Sequence, residues 1–372
     1  MKTTITRTAL AEAAQAVKGL VAKDRLSAFS KVRLDVSGCL SVTGSNGDVQ
    51  VEWRMACEII DRGTVTVPGA AFAAFVGAMP EGKVEMELAN HKLAIEGNGV
   101  KFKLAAGEAA DFPVMAGPKE GARLGITSTL LYEMLRKVKF AVSADDTRKS
   151  LTGVNIAFKD GLLGMTATDG RRLAHVEKDL DEDDGAEAGR LGFNFTLPMK
   201  AVGTLYGLLE KMAGSGDLVQ IASDGKAVRF VGDFWSMTAK VIDEIYPNWR
   251  KVVPEKQPHQ AELKRTAFLA ALGRAALASQ EVSGVKITLK NTSAVFEARN
   301  EITAANAGTA ACKMDEGVKG EFRVNPRLMK DALESIDEDD FTLHFDDGNG
   351  TPIKLTCSLP WVAVVMPFRK EG

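Results

Sequence analysis

The chain has 372 residues, of which 45% are hydrophobic and 26% charged, and its formal net charge is −2. This composition is that of a globular protein of two to four domains, and it excludes fibrous and disordered classes. A charge so near zero argues against a protein that binds nucleic acid over its whole surface. The chain shows no signal-peptide core and no apolar run long enough to span a membrane, so we expect a soluble, cytoplasmic protein.

The cysteines are widely spaced, and each lies in a sequence run that is typical of a strand. They are Cys39, Cys57, Cys312 and Cys357. No two of them are close enough in sequence to form a metal-binding or redox motif. We therefore predict buried thiols that pack as small apolar side chains, no metal site and no cofactor.

A strand, a proline and a helical pattern follow one another three times along the chain. Pro68, Pro198 and Pro326 each come after a short strand-like run and before an apolar-periodic segment. The first position of a helix needs no N–H donor, so proline is favoured there, and we predict a helix beginning at each proline. Alternating runs such as Lys83–Leu88, after the first helix, predict strands.

A second helical pattern precedes each of these units. Thr8, Thr129 and Thr266 stand at its start, and each threonine or a neighbouring serine is a plausible helix N-cap. The sequence therefore predicts the α+β class, with three similar domains that each pack two helices on antiparallel sheets. Segments 110–121 and 246–258 are rich in proline or glycine and mark the boundaries. The predicted domains are 1–119, 120–253 and 254–372.

Charge is distributed unevenly between the predicted helices and the rest of the chain. The helices with their flanks carry an excess of lysine and arginine, whereas segments 179–187 and 337–340 are acidic. Helices that shared one face would present a basic surface, which attracts phosphates without reading bases. Lysine and arginine are also common on solvated helix faces, so charge alone leaves both interpretations open.

Four short segments occur in order along the chain. Ala110–Pro113 reads ADFP, Ala167–Ala174 reads ATDGRRLA, Tyr246–Pro254 reads YPNWRKVVP, and Val364–Arg369 reads VVMPFR. In order and spacing they resemble the signature segments of the bacterial β sliding clamps, which are the DNA polymerase III β subunits. The resemblance extends over the whole chain and implies the DNA clamp fold.

The resemblance also implies an assembly and a function. Two chains would form a head-to-tail homodimer, a ring of six domains that encircles duplex DNA without sequence specificity. The ring would act as the processivity factor of the replicative polymerase. It would tether the polymerase, the clamp loader and other proteins that carry a clamp-binding motif. Such a subunit is non-catalytic, so the resemblance implies no catalytic residues and no bound cofactor.

The family's peptide-binding pocket lies between domains two and three. Carried over by position, it comprises Leu151, Thr168, Gly170, Arg171, Arg172, Leu173, Pro247, Lys251, Val252, Asn325, Leu328, Val364, Met366, Pro367, Phe368 and Arg369. Apolar members would line the pocket, and Arg172 and Arg369 would bind peptide carbonyls or a carboxylate. Arg171, Leu328 and Phe368 differ from the residues that many family members carry, so we expect a different peptide preference.

Two further residue sets follow from the same resemblance. The DNA-binding candidates are Lys23, Arg25, Arg136, Lys137, Lys139, Arg148, Lys149, Lys200, Lys211 and Arg274. The dimer-interface candidates are Phe102 and Leu104 on an edge strand of domain one, and Arg274, Leu277 and Ala278 in domain three. Pairing of strands across the two chains would cover the exposed edge.

Two alternative functions remain open from the sequence. The acidic run Asp337–Asp340 suggests a two-metal nuclease, but contiguous acidic residues point in different directions, which favours a solvated loop. The scattered histidines form no catalytic motif; they are His91, His175, His259 and His344. The second alternative is a clamp paralogue, specialised or encoded by a mobile element, that serves another polymerase, because Arg171, Leu328 and Asp145 depart from the family pattern.

Overall fold

The computed structural model describes residues 1–24, 27–119, 121–180, 192–212, 214, 216–279, 284–299, 304–346 and 350–369. These residues form two compact units. The first unit includes the described parts of Met1–Leu130 and Gly203–Val241, and the second includes those of Leu131–Leu180, Asn194–Val202 and Ile242–Gly372. No helix among the described residues has the length and apolar character needed to cross a membrane.

The first third of the chain begins with a strand and a capped helix. The helix buries Leu10, Ala13 and Val17, which recur at helical spacing, and the Thr6 hydroxyl accepts a hydrogen bond from Ala9 N–H at its start. The elements are β1 Lys2–Thr6, α1 Arg7–Lys18, β2 Lys31–Val36, β3 Leu40–Ser45, β4 Val49–Met55, β5 Glu58–Asp61, β6 Gly63–Pro68, α2 Gly69–Ala78, β7 Lys83–Ala89, β8 Lys92–Gly97 and β9 Val100–Ala105.

The middle third repeats this order without the additional strand β5. Its elements are β10 Ala122–Thr127, α3 Ser128–Val138, β11 Gly153–Lys159, β12 Leu162–Thr168, β13 Arg172–Asp179, β14 Phe193–Pro198, α4 Met199–Glu210, β15 Leu218–Ser223, β16 Ala227–Val231 and β17 Trp235–Lys240.

The last third repeats the order again. Its elements are β18 His259–Lys264, α5 Arg265–Ala276, β19 Val285–Lys290, β20 Ser293–Arg299, β21 Ala304–Met314, β22 Gly320–Val324, α6 Pro326–Glu334, β23 Asp340–Phe345, β24 Ile353–Thr356 and β25 Trp361–Val365. Three domains of sheets and helices are therefore present, as the internal repeats predict. The boundaries after residues 119 and 253 stay predictions, since the strands of the middle third are divided between the two compact units.

The strands that the structure describes form three sheets. The first unit holds a five-stranded sheet in the order β5-β1-β7-β8-β9 and an eight-stranded sheet in the order β10-β15-β16-β17-β4-β3-β2-β6. The second unit holds a twelve-stranded sheet in the order β14-β11-β12-β13-β25-β24-β23-β18-β21-β20-β19-β22. Two successive domains share a sheet through the antiparallel pair β4–β17, and the next two share one through β13–β25.

The three prolines do not all occupy the predicted helix position. Pro326 is the first residue of α6, as predicted, and the Asn325 side chain caps that helix by accepting from Arg327 N–H. Pro68 and Pro198 instead end β6 and β14, and their helices begin one residue later. The ψ angle of 113° at Pro68 is extended, so that residue completes the strand rather than the first helical turn.

The cysteine prediction was wrong for three of the four thiols. Cys312 alone is buried and lies in a strand, β21, whereas Cys39, Cys57 and Cys357 are half-buried and lie between strands. Residues at strand ends are shielded on fewer sides than residues in a ladder, which explains their partial exposure. All four are free cysteines.

Candidate functional site

The turn between β12 and β13 is fixed by its own polar side chains. The Asp169 carboxylate accepts from the N–H groups of Arg171 at 2.8 Å and Arg172 at 2.9 Å. The Thr168 hydroxyl donates to the Arg172 carbonyl oxygen at 2.6 Å and accepts from Gly170 N–H at 3.1 Å. Gly170 has a φ of +86°, which favours glycine. This turn therefore places four residues of the predicted peptide set in one rigid loop.

A row of side chains crosses three strands beside this turn. Thr168 pairs with Leu173, which in turn pairs with Val364. The last residues of the described chain lie beside the turn, because Met366 N–H donates to the Arg171 carbonyl oxygen at 2.9 Å. Leu173 is 1% exposed and Val364 is 0% exposed, so both pack as core beneath the surface.

Arg172 is held by acidic side chains of the protein. Its guanidinium donates to Asp331 at 2.6 Å and to Asp169 at 3.1 Å, and it lies 5.3 Å from the centre of the Phe140 ring. The side chain is 11% exposed. The expectation that Arg172 binds peptide carbonyls stays a prediction, but its geometry is that of a support for the turn.

Arg148 joins a second loop to the same turn. Its guanidinium donates to Asp145 at 2.9 Å and to the Asp169 carbonyl oxygen at 3.0 Å. Hydrogen bonds from Thr147 and Arg148 lower the pKa of Asp145. Leu151, which ends this loop, is 8% exposed. The loop thus connects a predicted DNA-binding residue with the predicted peptide set.

Residues 246–252, called here the 246–252 segment, carry three further members of the peptide set. They form a short 3-10 turn at Trp249–Lys251, which leaves Val252 48% exposed, with Pro247 and Lys251 also exposed. The indole of Trp249 stacks on the imidazole of His175, with ring centres 3.9 Å apart and an angle of 29° between the planes. The Arg250 guanidinium lies 4.5 Å from the Trp249 ring centre.

A cleft of about 720 Å³ lies beside this stack. Among its described lining residues, Pro247 alone belongs to the predicted peptide set. The rest include the buried polar residues Asn155, Thr166 and His175. Asn155 donates to Oδ1 of the exposed Asn194 at 2.8 Å, and Thr166 Oγ1 lies 2.8 Å from His175 Nδ1. The cleft is thus a neighbour of the predicted peptide site rather than the site itself.

The remaining peptide-set residues lie around α6 and the chain end. Asn325 caps α6 and Leu328 is half-buried in its first turn. Phe368 N–H donates to the Arg323 carbonyl oxygen at 2.8 Å, and the Phe368 ring fills the space beside Gly284. Pro367 is half-buried and Arg369 is exposed.

The DNA-binding candidates differ in burial, and two of them, Arg136 and Arg148, are bound to carboxylates. Arg136 donates to both Glu133 and Asp337, which lowers the pKa of Asp337, and Arg148 is paired as described above. Lys137 and Lys139 are half-buried at the end of α3. Arg25 lies outside the described residues. The exposed candidates are Lys23, Lys149, Lys200, Lys211 and Arg274.

The dimer-interface candidates differ in accessibility. Phe102 lies in β9, at the edge of the five-stranded sheet, and stacks on Phe75 with ring centres 4.4 Å apart. Leu277 is 88% exposed, which suits an interface. Leu104 and Ala278 are 4% and 5% exposed, so they pack within their own unit. Arg274 is exposed in the last turn of α5.

Sequence reasoning missed three residues that organise the site. Asp331 and the Trp249–His175 stack gave no local signal, since their partners are distant in sequence. The role of Asp169 was accessible, because an Asp-Gly pair between strands is a turn signal. Within the described residues, no group of three or more histidines, cysteines or acidic residues could hold a metal ion.

Comparison with known proteins covers nearly the whole chain. Three family models match in sequence order: the N-terminal domain of the DNA polymerase III beta subunit at residues 1–116, its central domain at 125–248 and its C-terminal domain at 250–369. The beta sliding clamp of Caulobacter vibrioides is 27% identical over 99% of this chain and 100% of its own length. That of Bacillus subtilis is 27% identical over 93% of both chains.

Solved structures agree with the sequence matches. The Pseudomonas aeruginosa DNA polymerase sliding clamp is 25% identical, covers 100% of both chains and superposes with a TM-score of 0.91. The Helicobacter pylori beta clamp, at 20% identity, covers 99% of this chain with a TM-score of 0.88 and shares the fold. On these matches and its threefold architecture, the chain belongs to the DNA polymerase III beta subunit family.

Proposed function

We propose that this protein is the sliding clamp of a replicative DNA polymerase, a non-catalytic subunit that acts in the cytoplasm. Two copies join head to tail into a closed ring of six domains around duplex DNA. The domains are residues 1–119, 120–253 and 254–372. The observation that carries the proposal is a strand junction that occurs twice within the chain.

Each junction joins equivalent strands of successive domains. β4 of domain one pairs with β17, the last strand of domain two, through five residue pairs. β13 of domain two pairs with β25, the last strand of domain three, again through five residue pairs. β21 is the equivalent strand of domain three, and β9 is the last strand of domain one. A pair between β21 of one copy and β9 of a second copy continues the series, and a repeated head-to-tail junction closes a ring when the rotation closes.

Both strands have an available edge in the described residues. β9 lies at the end of its sheet order, with β8 as its neighbour there. β18 pairs with β21 only along Cys312–Met314. The preceding part of β21 therefore has β20 as its one paired strand among the described residues. Unpaired strand edges favour strand addition from another chain.

Basic side chains on and beside the helices supply the contacts with DNA. A closed ring cannot leave DNA sideways, so weak contacts with phosphates are sufficient and allow sliding. Lys200 in the first turn of α4 and Arg274 in the last turn of α5 are exposed and basic. Processivity in this proposal comes from topology rather than from affinity.

Partner proteins bind at the surface formed by the 168–172 turn, the 246–252 segment and the chain end. The Helicobacter pylori clamp structure contains a DNA ligase peptide. For this chain we infer that the polymerase, the clamp loader and other proteins each present a short peptide to this surface. The row Thr168–Leu173–Val364 lies beneath it, and the exposed Val252 offers apolar contact.

Retention on DNA tests the ring. After loading onto a nicked circular duplex, the protein is expected to remain bound in high salt, and cutting the circle is expected to release it. Equal retention on circular and linear DNA of the same sequence would refute the topological mechanism. Native mass measurement is expected to give a dimer, and a monomer at every concentration would contradict the ring.

Met366→Ala tests the peptide surface, as does truncation after Val365. Met366 is half-buried and its N–H is fixed to Arg171, so its side chain is expected to line the surface. Both changes should abolish binding of the DNA ligase peptide and leave the dimer intact. Met199→Ala, at an exposed position on α4, is the matched control and should bind normally. Loss of the dimer instead would contradict the assignment.

A further inference from the structure

Two neighbouring rows of residues share one face of the twelve-stranded sheet. The first is Thr168–Leu173–Val364, which underlies the proposed peptide surface. The second lies two residues along each strand and consists of Thr166, His175 and Val362. Residues two apart on a strand point to the same side of a sheet. His175 therefore faces the same side as Leu173, one row away from the peptide surface.

The 246–252 segment is anchored to the second row and lies near the first. Trp249 stacks on His175 in the second row, at 3.9 Å between ring centres. Tyr246 is half-buried near the first row: burial raises its pKa, and the neighbouring Thr168 backbone opposes that rise. Pro247 lies between these two aromatic residues in sequence, and Val252 N–H donates to the Trp249 carbonyl oxygen at 2.9 Å. The position of Val252 thus depends on the position of Trp249.

We infer that His175 is a positioning residue for peptide binding: its ring supports Trp249, and Trp249 holds Pro247 and Val252 as one wall of the peptide surface. The inference rests on the proposed function of that surface. Nothing in it requires His175 to touch the peptide, because the imidazole is 5% exposed and covered by the indole.

The surroundings of His175 are built around its ring. Nε2 lies 3.1 Å from the Glu177 carboxylate and Nδ1 lies 2.8 Å from the Thr166 hydroxyl. A neutral imidazole that donates from Nε2 accepts at Nδ1, which matches these two partners. Gly164 provides the space: a Cβ there would lie 3.3 Å from His175 Cε1. The ring is thus fixed in one orientation against Trp249.

The charged groups facing the imidazole give the stack a direction of pH dependence. Burial is the largest influence on the pKa of His175 and lowers it. Glu177 on the same strand raises this pKa and Arg250 on the 246–252 segment lowers it, so the net change is a decrease. A histidine in water, without the Trp249 ring stacked on it, has a pKa of about 6.5. The state in which Trp249 is stacked on His175 therefore binds fewer protons than the unstacked state. The stack is complete above this pH and weakens as the pH falls below it.

Peptide affinity measured with two variants at His175 tests the inference. The probe is a fluorescently labelled copy of the DNA ligase peptide, titrated with full-length dimer and followed by anisotropy. His175→Ala removes the stack, and since an aromatic pair contributes about 0.5–1.5 kcal/mol, the Kd should rise about two- to twelvefold at about pH 7.5. His175→Phe keeps the stack and should bind within about twofold of the original chain.

The pH profile separates positioning from a general loss of structure. The original chain should bind more weakly at about pH 5.5 than at about pH 7.5, whereas His175→Phe should bind equally at both. His344→Gln is the matched control, since burial also lowers the pKa of His344 but its hydrogen-bond partner is Thr356. It should retain the pH dependence of the original chain.

The fluorescence of Trp249, obtained as the difference from a Trp249→Phe variant, reports the stack directly. His175→Ala is expected to change this emission and weaken the peptide together. A changed emission with unchanged affinity would overturn the inference, as would pH dependence that persists in His175→Phe. Failure of the original chain to bind the peptide at all would overturn the proposed function and the inference with it.

Discussion

Arg172 Nη1 donates to Asp331 Oδ2 at 2.6 Å, although the two residues are 159 positions apart. The same guanidinium donates to Asp169, which holds the 168–172 turn. One side chain thus joins β13, the turn and α6. The proposed peptide surface is assembled from distant segments, and this ion pair is one of the contacts that fix their relative positions.

Asp331→Asn should destabilise the protein more than loss of an ordinary surface ion pair. Arg172 is 11% exposed and would lose a charged partner, so the free energy of unfolding should fall by about 1–3 kcal/mol. The matched control is Glu334→Gln, which breaks the exposed Lys330–Glu334 pair on the same helix and should change it by about 0.5 kcal/mol at most. Urea unfolding measures both, and equal effects would contradict the assigned role of Arg172.

Gly170→Ala should be more damaging than Gly161→Ala. The two glycines have nearly the same φ, +86° and +85°, so the backbone strain of about 1–2 kcal/mol is common to both. A Cβ at Gly170 would also lie 2.8 Å from the Arg148 guanidinium, whereas nothing lies within 4 Å at Gly161. Thermal unfolding and peptide binding should therefore both separate the two variants. Identical behaviour would show that Arg148 moves aside freely.

Asp337→Asn should increase affinity for duplex DNA. Arg136 is bound to Asp337 and Glu133, and removing one carboxylate makes its charge available to phosphates. The measurement is the salt dependence of binding to duplex DNA, which should become steeper. Glu96→Gln releases Lys101 on the five-stranded sheet and changes net charge equally, so it is the control. A similar gain in both variants would indicate net charge instead of Arg136.

Leu277→Asp should prevent dimer formation without unfolding the chain. The side chain is 88% exposed, so a carboxylate there remains hydrated in the monomer but would be buried by a partner. Ile245→Asp is the matched control, because Ile245 is 95% exposed and outside the predicted interface. Native mass spectrometry should give monomer for the first variant and dimer for the second. A dimer from both would remove Leu277 from the interface.

The threefold repeat was predictable because each copy depends on local patterns. Apolar residues at helical spacing gave the six helices, and alternation gave the strands around them. The exact helix starts were less accessible: Pro68 and Pro198 complete strands, and only the backbone angle distinguishes this from a first helical position. The cap of α1 is Thr6 and not Thr8, a distinction that the sequence does not make because either threonine fits the local pattern.

The sequence supplies the proposed peptide surface as a set of residues, which stays a prediction, but it does not supply the interactions among them. Most of its members lie in three of the motif segments, 167–174, 246–254 and 364–369, and the pairing of β13 with β25 places the first and the last of these side by side. The distant partners, Asp331 for Arg172 and the Asp169 carbonyl oxygen for Arg148, depend on tertiary contacts that no local pattern encodes. Arg136, Arg148 and Arg172 are predicted to contact DNA or peptide, and the structure shows that each also binds a carboxylate of the chain. The sequence alone does not show these ion pairs.

The edge strand β9 also bears on how an unassembled copy behaves in a crowded cell. Lys101 and Lys103 are exposed on this six-residue strand, and lysines on an open edge discourage indiscriminate stacking with foreign strands. These lysines therefore make a monomer less prone to aggregate with unrelated proteins through this edge. The strand is also short, so in the proposed head-to-tail junction two copies separate by breaking only a few backbone hydrogen bonds.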